Sequence, residues 1–318
     1  MKPTTRDNHR RDASARSRLQ RVGLLALALL TACGRSSSRA EPTADGAERR
    51  TLASQTVLSD EVLWELGPNV RERVVAVSVM ADDERYSAVV DRWPEAVPRL
   101  AGTSETLLSL KPGYTFVASF TAAETRALLE QHGAPTHVLD GFTGFADYRR
   151  HVADIARLAG DAAAGRALIK DFDREVAALT VTRPKRAVSA VSFNEGTIAG
   201  AETTFHDVAE LAGYRNLAAA RGITGHRSVS LEQLVSWNPE VIIIPCGPPS
   251  CEASERALRQ RPGLAATRAA RTGGVLAIPP HHLYSVGRGM LDAVRALRAR
   301  HPAAADTSPK DLLPSNPR

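Results

Sequence analysis

The chain is 318 residues long, 43% hydrophobic and 24% charged, which excludes global disorder and fibrous repeats and leaves room for about two domains with ordinary cores. Its formal net charge of +6 is concentrated at the start: residues 1–32 hold seven cations against Asp7 and Asp12, a net of +5, so the other 286 residues carry +1. With that balance and 5% aromatic residues, neither a basic nor a stacking surface for nucleic acid is expected.

Val22 to Ala32 is an apolar run of 11 residues behind a basic segment. A membrane-spanning helix needs about 20 apolar residues, so residues 1–32 read as a secretory signal. The run ends in Leu30-Thr31-Ala32-Cys33-Gly34, which resembles the bacterial lipobox. That resemblance implies cleavage before Cys33 and a lipid on its sulfur. Arg10-Arg11 is not followed by residues that would indicate twin-arginine export. Residues 33–50 are polar, small and aperiodic, and read as a flexible tether. The body is therefore expected outside the cytoplasm, held by lipid on the periplasmic side of a bacterial membrane.

From Thr51 short apolar runs alternate with helical periods. Ser59 to Leu66 reads as a helix stopped by Gly67, Val74 to Val79 as a strand, Thr115 to Ser119 as another, and Ala122 to Gln131 as a helix stopped by Gly133. Val138-Leu139 is a weaker strand. Phe145 to about Leu179 is helical with no strand inside it, and reads as one long rigid connector that Gly160 and Gly165 can bend. A second series follows, with strands at Ala187 to Val191, Val241 to Ile244 and Val275 to Ile278. Continuous apolar strands alternating with helices indicate mainly parallel sheets covered on both faces. The expected fold is α/β, two Rossmann-like lobes (51–144 and 181–302) joined by the helix at 145–180, with a disordered tail at 303–318.

Cys246-Gly247-Pro248-Pro249-Ser250-Cys251 carries the two cysteines of the body. Outside the cytoplasm such a pair reads as a disulfide closing a short loop. The rival reading, a metal site, lacks Cys-x2-Cys spacing and a second pair. An internal repeat supports two lobes. Glu105-Thr106-Leu107-Leu108-Ser109-Leu110-Lys111-Pro112 and Glu232-Gln233-Leu234-Val235-Ser236-Trp237-Asn238-Pro239 share one pattern, and each leads into a strand. Ser104 and Ser230 lie just ahead of the glutamates, as helix starts prefer, and the prolines end the helices.

The segments Glu105 to Ser119, Thr204 to Leu217 (with Leu211-Ala212-Gly213-Tyr214-Arg215-Asn216) and Ser230 to Ile244 resemble those of the substrate-binding lipoproteins of ABC importers for iron chelates and vitamin B12, the class III periplasmic binding proteins. The resemblance runs from about Thr51 to Pro302. It implies two lobes bridged by one long helix, a cleft that closes slightly on its ligand, and one exposed glutamate per lobe that docks on arginines of the transmembrane permease. By motif position these are Glu105 and Glu232. The residues themselves also admit a simpler role, an acid complementing the helix dipole.

Ligands of open α/β sheets sit outside the carboxyl ends of the strands. Position therefore selects Gln55, Met80, Asp82, Asp83, Tyr86, Phe120 and Phe142 in the first lobe. In the second it selects Asn194, Thr197, Thr203, Phe205, Cys246, Pro248, His281, His282 and Tyr284. This mixture suits a bulky, partly apolar ligand: a ferric chelate first, then a corrinoid, as cargo rather than cofactor. Arg85, Arg227 and Arg288 are the cations available to a ferric siderophore. Haem through Tyr284 or His282 is an alternative, as is an axial histidine on cobalt. Adjacent His281 and His282, with His206 and His226, do not converge as a metal site needs. Enzyme motifs are missing: there is no Gly-x-Ser-x-Gly, phosphate loop or His-Glu-x-x-His, and Gly287-Arg288-Gly289 lacks a third glycine. A monomeric, non-enzymatic receptor is expected, against a free-metal receptor or a lipid-anchored scaffold of the same fold.

Overall fold

The computed structural model describes residues 50–101, 104–180 and 188–300; the signal segment, Cys33 and the tail at 303–318 lie outside them. The first lobe runs β1 (Leu52–Ser54), α1 (Val57–Glu65), α2 (Pro68–Arg71), β2 (Val74–Ser78), β3 (Arg99–Leu100), α3 (Ser104–Leu110), β4 (Tyr114–Ala118), α4 (Ala123–Gln131) and β5 (Thr136–Leu139). Two helices follow, α5 (Phe145–Leu158) and α6 (Ala162–Leu179). The second lobe begins β6 (Val188–Ser192), β7 (Thr197–Ala199), α7 (Thr204–Leu211), β8 (Tyr214–Asn216), α8 (Leu217–Ala220) and β9 (His226–Ser228). It continues α9 (Leu231–Trp237), β10 (Val241–Pro245), α10 (Cys251–Gln260), α11 (Arg268–Arg271), β11 (Val275–Ile278), α12 (Pro280–Leu283) and α13 (Gly289–Ala299). No described helix is long and apolar enough to cross a membrane.

The first sheet has the order β3-β2-β1-β4-β5 and the second β11-β10-β6-β8, and every pairing in both is parallel. In each the strand order reverses beside its first strand, between β1 and β4 and between β6 and β10. An antiparallel ribbon of β7 and β9 is appended to the second lobe. Period-two alternation explains the layering. Ile242 and Ile244 of β10 face one apolar cluster, while Val241 and Ile243 face another that also contains Leu52, Phe116, Val152 and Phe172. That second cluster runs without a break from the first sheet through α5 and α6 to the second sheet, so the lobes share a core and large rotations would expose it.

The connector is not one continuous helix. Gly160 takes φ +77°, a left-handed value that ends α5, and the Asp161 side chain accepts the Ala164 N–H at 2.9 Å to start α6. The two helices then pack on each other. Gly165 does not bend α6; it admits the neighbour, since a Cβ there would overlap that of Ala156. The repeat folds alike in both lobes: Lys111 and Asn238 are left-handed, at φ 44° and 45°, each between a short helix and a proline that enters a strand.

Candidate functional site

The second sheet's reversal point opens into a cavity of about 340 Å³. Its floor begins where β6 ends. Asn194 and Thr197 exchange backbone hydrogen bonds at 2.9 and 2.8 Å around Glu195 and Gly196, both at positive φ, the signature of a two-residue hairpin turn. This turn puts Phe193, Asn194 and Thr197 on the cavity wall, with Phe205, Pro245, Leu283 and Tyr284. Phe205 is placed by α7, whose N-cap Thr203 accepts the His206 N–H at 3.2 Å and donates to the Gly200 carbonyl at 2.7 Å. Behind the wall, buried Asn216 donates to the Ala199 and Gly200 carbonyls at 3.1 and 3.2 Å and accepts the Ala218 N–H. The asparagine of the Leu-Ala-Gly-x-x-Asn stretch is thus a clamp on the end of β7.

Phe142 lines the cavity from the first lobe. The loop that carries it is held by His151, whose Nε2 bonds the Gly141 carbonyl at 2.8 Å and whose ring lies 5.1 Å from Phe142. Burial lowers the His151 pKa, so the neutral ring donates from Nε2. Asp147 accepts the Thr143 N–H at 2.9 Å, and the Asp207 carboxylate of the second lobe accepts the Phe145 N–H at 2.8 Å. Gly144 leaves room for that carboxylate, which a Cβ would overlap.

Of the residues selected by position, Phe142, Asn194, Thr197, Phe205 and Tyr284 come together in this cavity. Tyr86 reaches its edge by stacking on Tyr284, centroids 6.5 Å apart, and Phe120, 77% exposed, by contact with Phe142 at 5.5 Å. Others sit apart from it. Asp82 is paired with Arg99 at 2.7 Å and Asp83 with Arg85 at 2.6 Å. Met80 lies half-buried in the turn after β2. Gln55 follows β1 with both side-chain polar atoms buried and without a hydrogen-bond partner among the described residues, at the reversal point of the first sheet. His281 bonds the Glu84 carbonyl at 3.0 Å. His282 is half-buried near Asp292, and burial, then His281, lowers its pKa. Pro248 is exposed at the tip of a loop closed by the Cys246–Cys251 disulfide, Cα–Cα 4.5 Å.

Phe193, Leu283, Val286 and His226 also line the cavity and were not selected by position. Phe193 directly follows a strand, a signal open to reading; His226 arrives on the β7–β9 ribbon, which short polar strands do not announce. Burial, then Tyr86 and Glu195, push the Tyr284 phenol up to about 12, so it faces the cavity as a neutral donor. Of the three candidate cations, Arg85 is engaged with Asp83, Arg288 is engaged with Glu175, and Arg227 lies on the exposed β9.

The glutamates of the repeat, Glu105 and Glu232, stand exposed in the first turns of α3 and α9. Both helices run back toward the start of a parallel strand, so both N-termini lie toward the carboxyl ends of the sheets. The Ser230 hydroxyl accepts the Gln233 N–H at 3.1 Å.

A family model described as periplasmic binding protein matches residues 52–281. No curated protein sequence matches the chain. Among solved structures, it is similar to a possible iron-binding periplasmic solute-binding protein from Staphylococcus epidermidis, at 17% identity over 79% of this chain and 98% of that one, with a TM-score of 0.67. A periplasmic haem-binding protein from Pseudomonas aeruginosa is 24% identical over 79% and 91% of the two chains, TM-score 0.63. The vitamin B12-binding protein BtuF of Vibrio cholerae is 19% identical over 81% and 98%, TM-score 0.63. At these identities the structural likeness establishes the fold, two α/β lobes. The match over residues 52–281 settles the lineage: the chain belongs to the periplasmic binding protein family.

Proposed function

We propose that this protein captures a metal chelate in the interlobe cavity and delivers it to an ABC permease, by binding and without turnover. The observation that carries the reading is the cavity itself: it lies at a sheet reversal point, where α/β folds bind ligands, and both lobes line it, through Phe142 on one side and Asn194, Phe205 and Tyr284 on the other. Its lining is aromatic and amide-bearing, and Arg85 and Arg288 are committed to Asp83 and Glu175. Such a site favours a near-neutral cargo, a ferric hydroxamate or a corrinoid, over a highly anionic catecholate. Haem is the second reading, favoured by the flat faces of Tyr86 and Tyr284.

The proposal includes a signal at residues 1–32, a lipid on Cys33, a tether to residue 50, and a monomeric body held at the periplasmic side of a membrane. The lipobox-like sequence supports the anchor. In the same proposal Glu105 and Glu232 dock on the permease. Their exposure and equivalent places in the repeat support that role, because one carboxylate per lobe lets a basic partner sense both lobes at once.

The test is a binding panel of ferric hydroxamate and catecholate chelates, cobalamin, cobinamide, haem, Zn²⁺ and Mn²⁺, read by tryptophan fluorescence and calorimetry. Trp64 and Trp93 meet edge to face in the first lobe and Trp237 lies beside Arg221, so a coloured cargo quenches them by energy transfer. Micromolar or tighter binding of one near-neutral chelate is expected. Silence across the panel would overturn the receptor reading in favour of a scaffold, and turnover of a bound chelate would overturn the non-enzymatic one.

A further inference from the structure

Beside the cavity, three contacts join loop 84–88 of the first lobe to segment 281–287 of the second. The Glu84 carbonyl meets His281 Nδ1 at 3.0 Å. The Tyr86 and Tyr284 rings stack with 29° between their planes. The third contact is made by the Glu61 carboxyl of α1, 5% exposed. Its Oε1 accepts the Ala88 N–H at 2.9 Å, and its Oε2 lies so close to Gly287 that a Cβ there would overlap it. Leu283, Tyr284 and Val286 of the same segment line the cavity. Moving the lobes apart to admit cargo would part all three contacts.

We propose that this seam is a proton-linked latch: Glu61 closes it as a neutral carboxylic acid, so the lobes take up one proton from solvent when they close over cargo and return it when they open. The inference rests on the reading of the cavity as the cargo site. Its basis is the isolation of the carboxyl. Asp60 and Glu65 flank it on its own helix, Tyr148 faces it from α5, and among the described residues no cation is hydrogen-bonded or ion-paired to it. Arg288 and Arg92 act on Glu65 instead, and Arg288 is held by Glu175 of α6. On the seam itself Arg85 is solvent-exposed and paired with Asp83, and His281 is bonded to the Glu84 carbonyl. His282 faces Asp292. An anion at this position would be desolvated with one N–H donor and no counter-charge.

The linkage has a definite sign. Burial, with Glu65 and Asp60 adding to it, pushes Glu61 up from 4.5 to about 8 in the closed seam, against the Ala88 hydrogen bond. Opened to water, the carboxyl returns to its ordinary value. Between pH 4.5 and about 8 the open form is ionised and the closed form is not, so each pH unit upward favours opening tenfold. Above that window the preference is constant. Asp60 is also raised, to about 7, but it is bound to Ser78 within the first lobe and does not span the seam.

The test is hydrogen exchange of the Ala88 amide, which the Glu61 carboxyl holds, in the intact, cargo-free protein from pH 5 to 9, corrected for intrinsic exchange and referred to β10. Protection should fall about tenfold per pH unit up to about pH 8 and then level. Glu61→Gln, which keeps an acceptor for Ala88, should give a flat profile. Gly287→Ala should remove protection of the Ala88 amide at every pH while β10 stays protected. A flat wild-type profile, an unchanged slope in Glu61→Gln, or full protection in Gly287→Ala would overturn the latch. The readout needs no ligand. A flat profile with cargo binding intact therefore refutes the latch alone, and a sloped profile with a silent panel refutes the cargo reading alone.

Discussion

Replacing both Cys246 and Cys251 with serine should cost a defined amount of stability. The bond closes a loop of six residues, and loop-closure entropy for that length is worth about 2 kcal/mol. Little else is lost. The Cys246 N–H still bonds the Ile278 carbonyl at 2.8 Å, and Ser254 Oγ still accepts the Gly247 N–H at 2.9 Å. A folded body of about 250 residues unfolds with an entropy of about 0.5 kcal/mol/K, so Tm should fall by about 4 °C. Because Pro245 at the foot of the loop lines the cavity, cargo affinity should weaken in the same variant by about threefold to tenfold, through lost preorganisation. Differential scanning calorimetry and a cargo titration on one preparation measure both. A fall of 10 °C or more would mean that the bond holds the fold itself. No fall would mean that the loop is equally ordered without it. Either result refutes the entropic argument.

Three further outcomes follow from particular contacts. Burial, offset in part by the Ser54 and Ser78 hydrogen bonds, pushes Asp60 up from 3.8 to about 7; the folded state therefore holds a proton that the unfolded state releases, and stability falls as pH rises from about 4 to 7. Urea titrations should show that slope reduced in Asp60→Asn, and an unchanged slope would contradict the assignment. Asn216→Ala strands the buried Ala199 carbonyl and the Ala218 N–H, while the Gly200 carbonyl keeps the Thr203 hydroxyl, and should cost about 2–4 kcal/mol in urea denaturation; a loss below about 0.5 kcal/mol would remove Asn216 as the clamp. Reversing both charges, Glu105→Arg with Glu232→Arg, should abolish chelate uptake in cells while leaving cargo affinity unchanged, and normal uptake would sink the docking role.

Long apolar strands and the repeat were legible because their signals are local. β10 is a continuous run of valine and isoleucine, and the repeat ends both helices with the same proline. The central strand β1 is not legible: Leu52-Ala53-Ser54 is three residues with no period, and it is a strand because β2 and β4 pair with it. β8 hides for the same reason inside a stretch that reads as a motif. The connector's interruption turns on the left-handed Gly160 and the Asp161 cap, and in the sequence a glycine in a helical period reads equally well as a bend. At the site, the rule that ligands lie beyond strand ends selects loops but not directions. Asp82 and Tyr86 both occupy such a loop, yet Arg99 draws one outward and Tyr284 draws the other to the cavity. Those partners are distant in sequence and become neighbours through tertiary packing.

The most direct test of the central claim is a calorimetric titration of the chelate that binds best in the panel, into the wild-type protein and into Tyr284→Ala. Tyr284 is 37% exposed, so its truncation spares the core and removes a cavity wall. The account predicts a micromolar or tighter Kd for the wild type and at least a tenfold loss in the variant, equivalent to about 1.4 kcal/mol, with an unchanged Tm. Equal affinity in the two proteins would place the cargo elsewhere and contradict the assignment of the cavity.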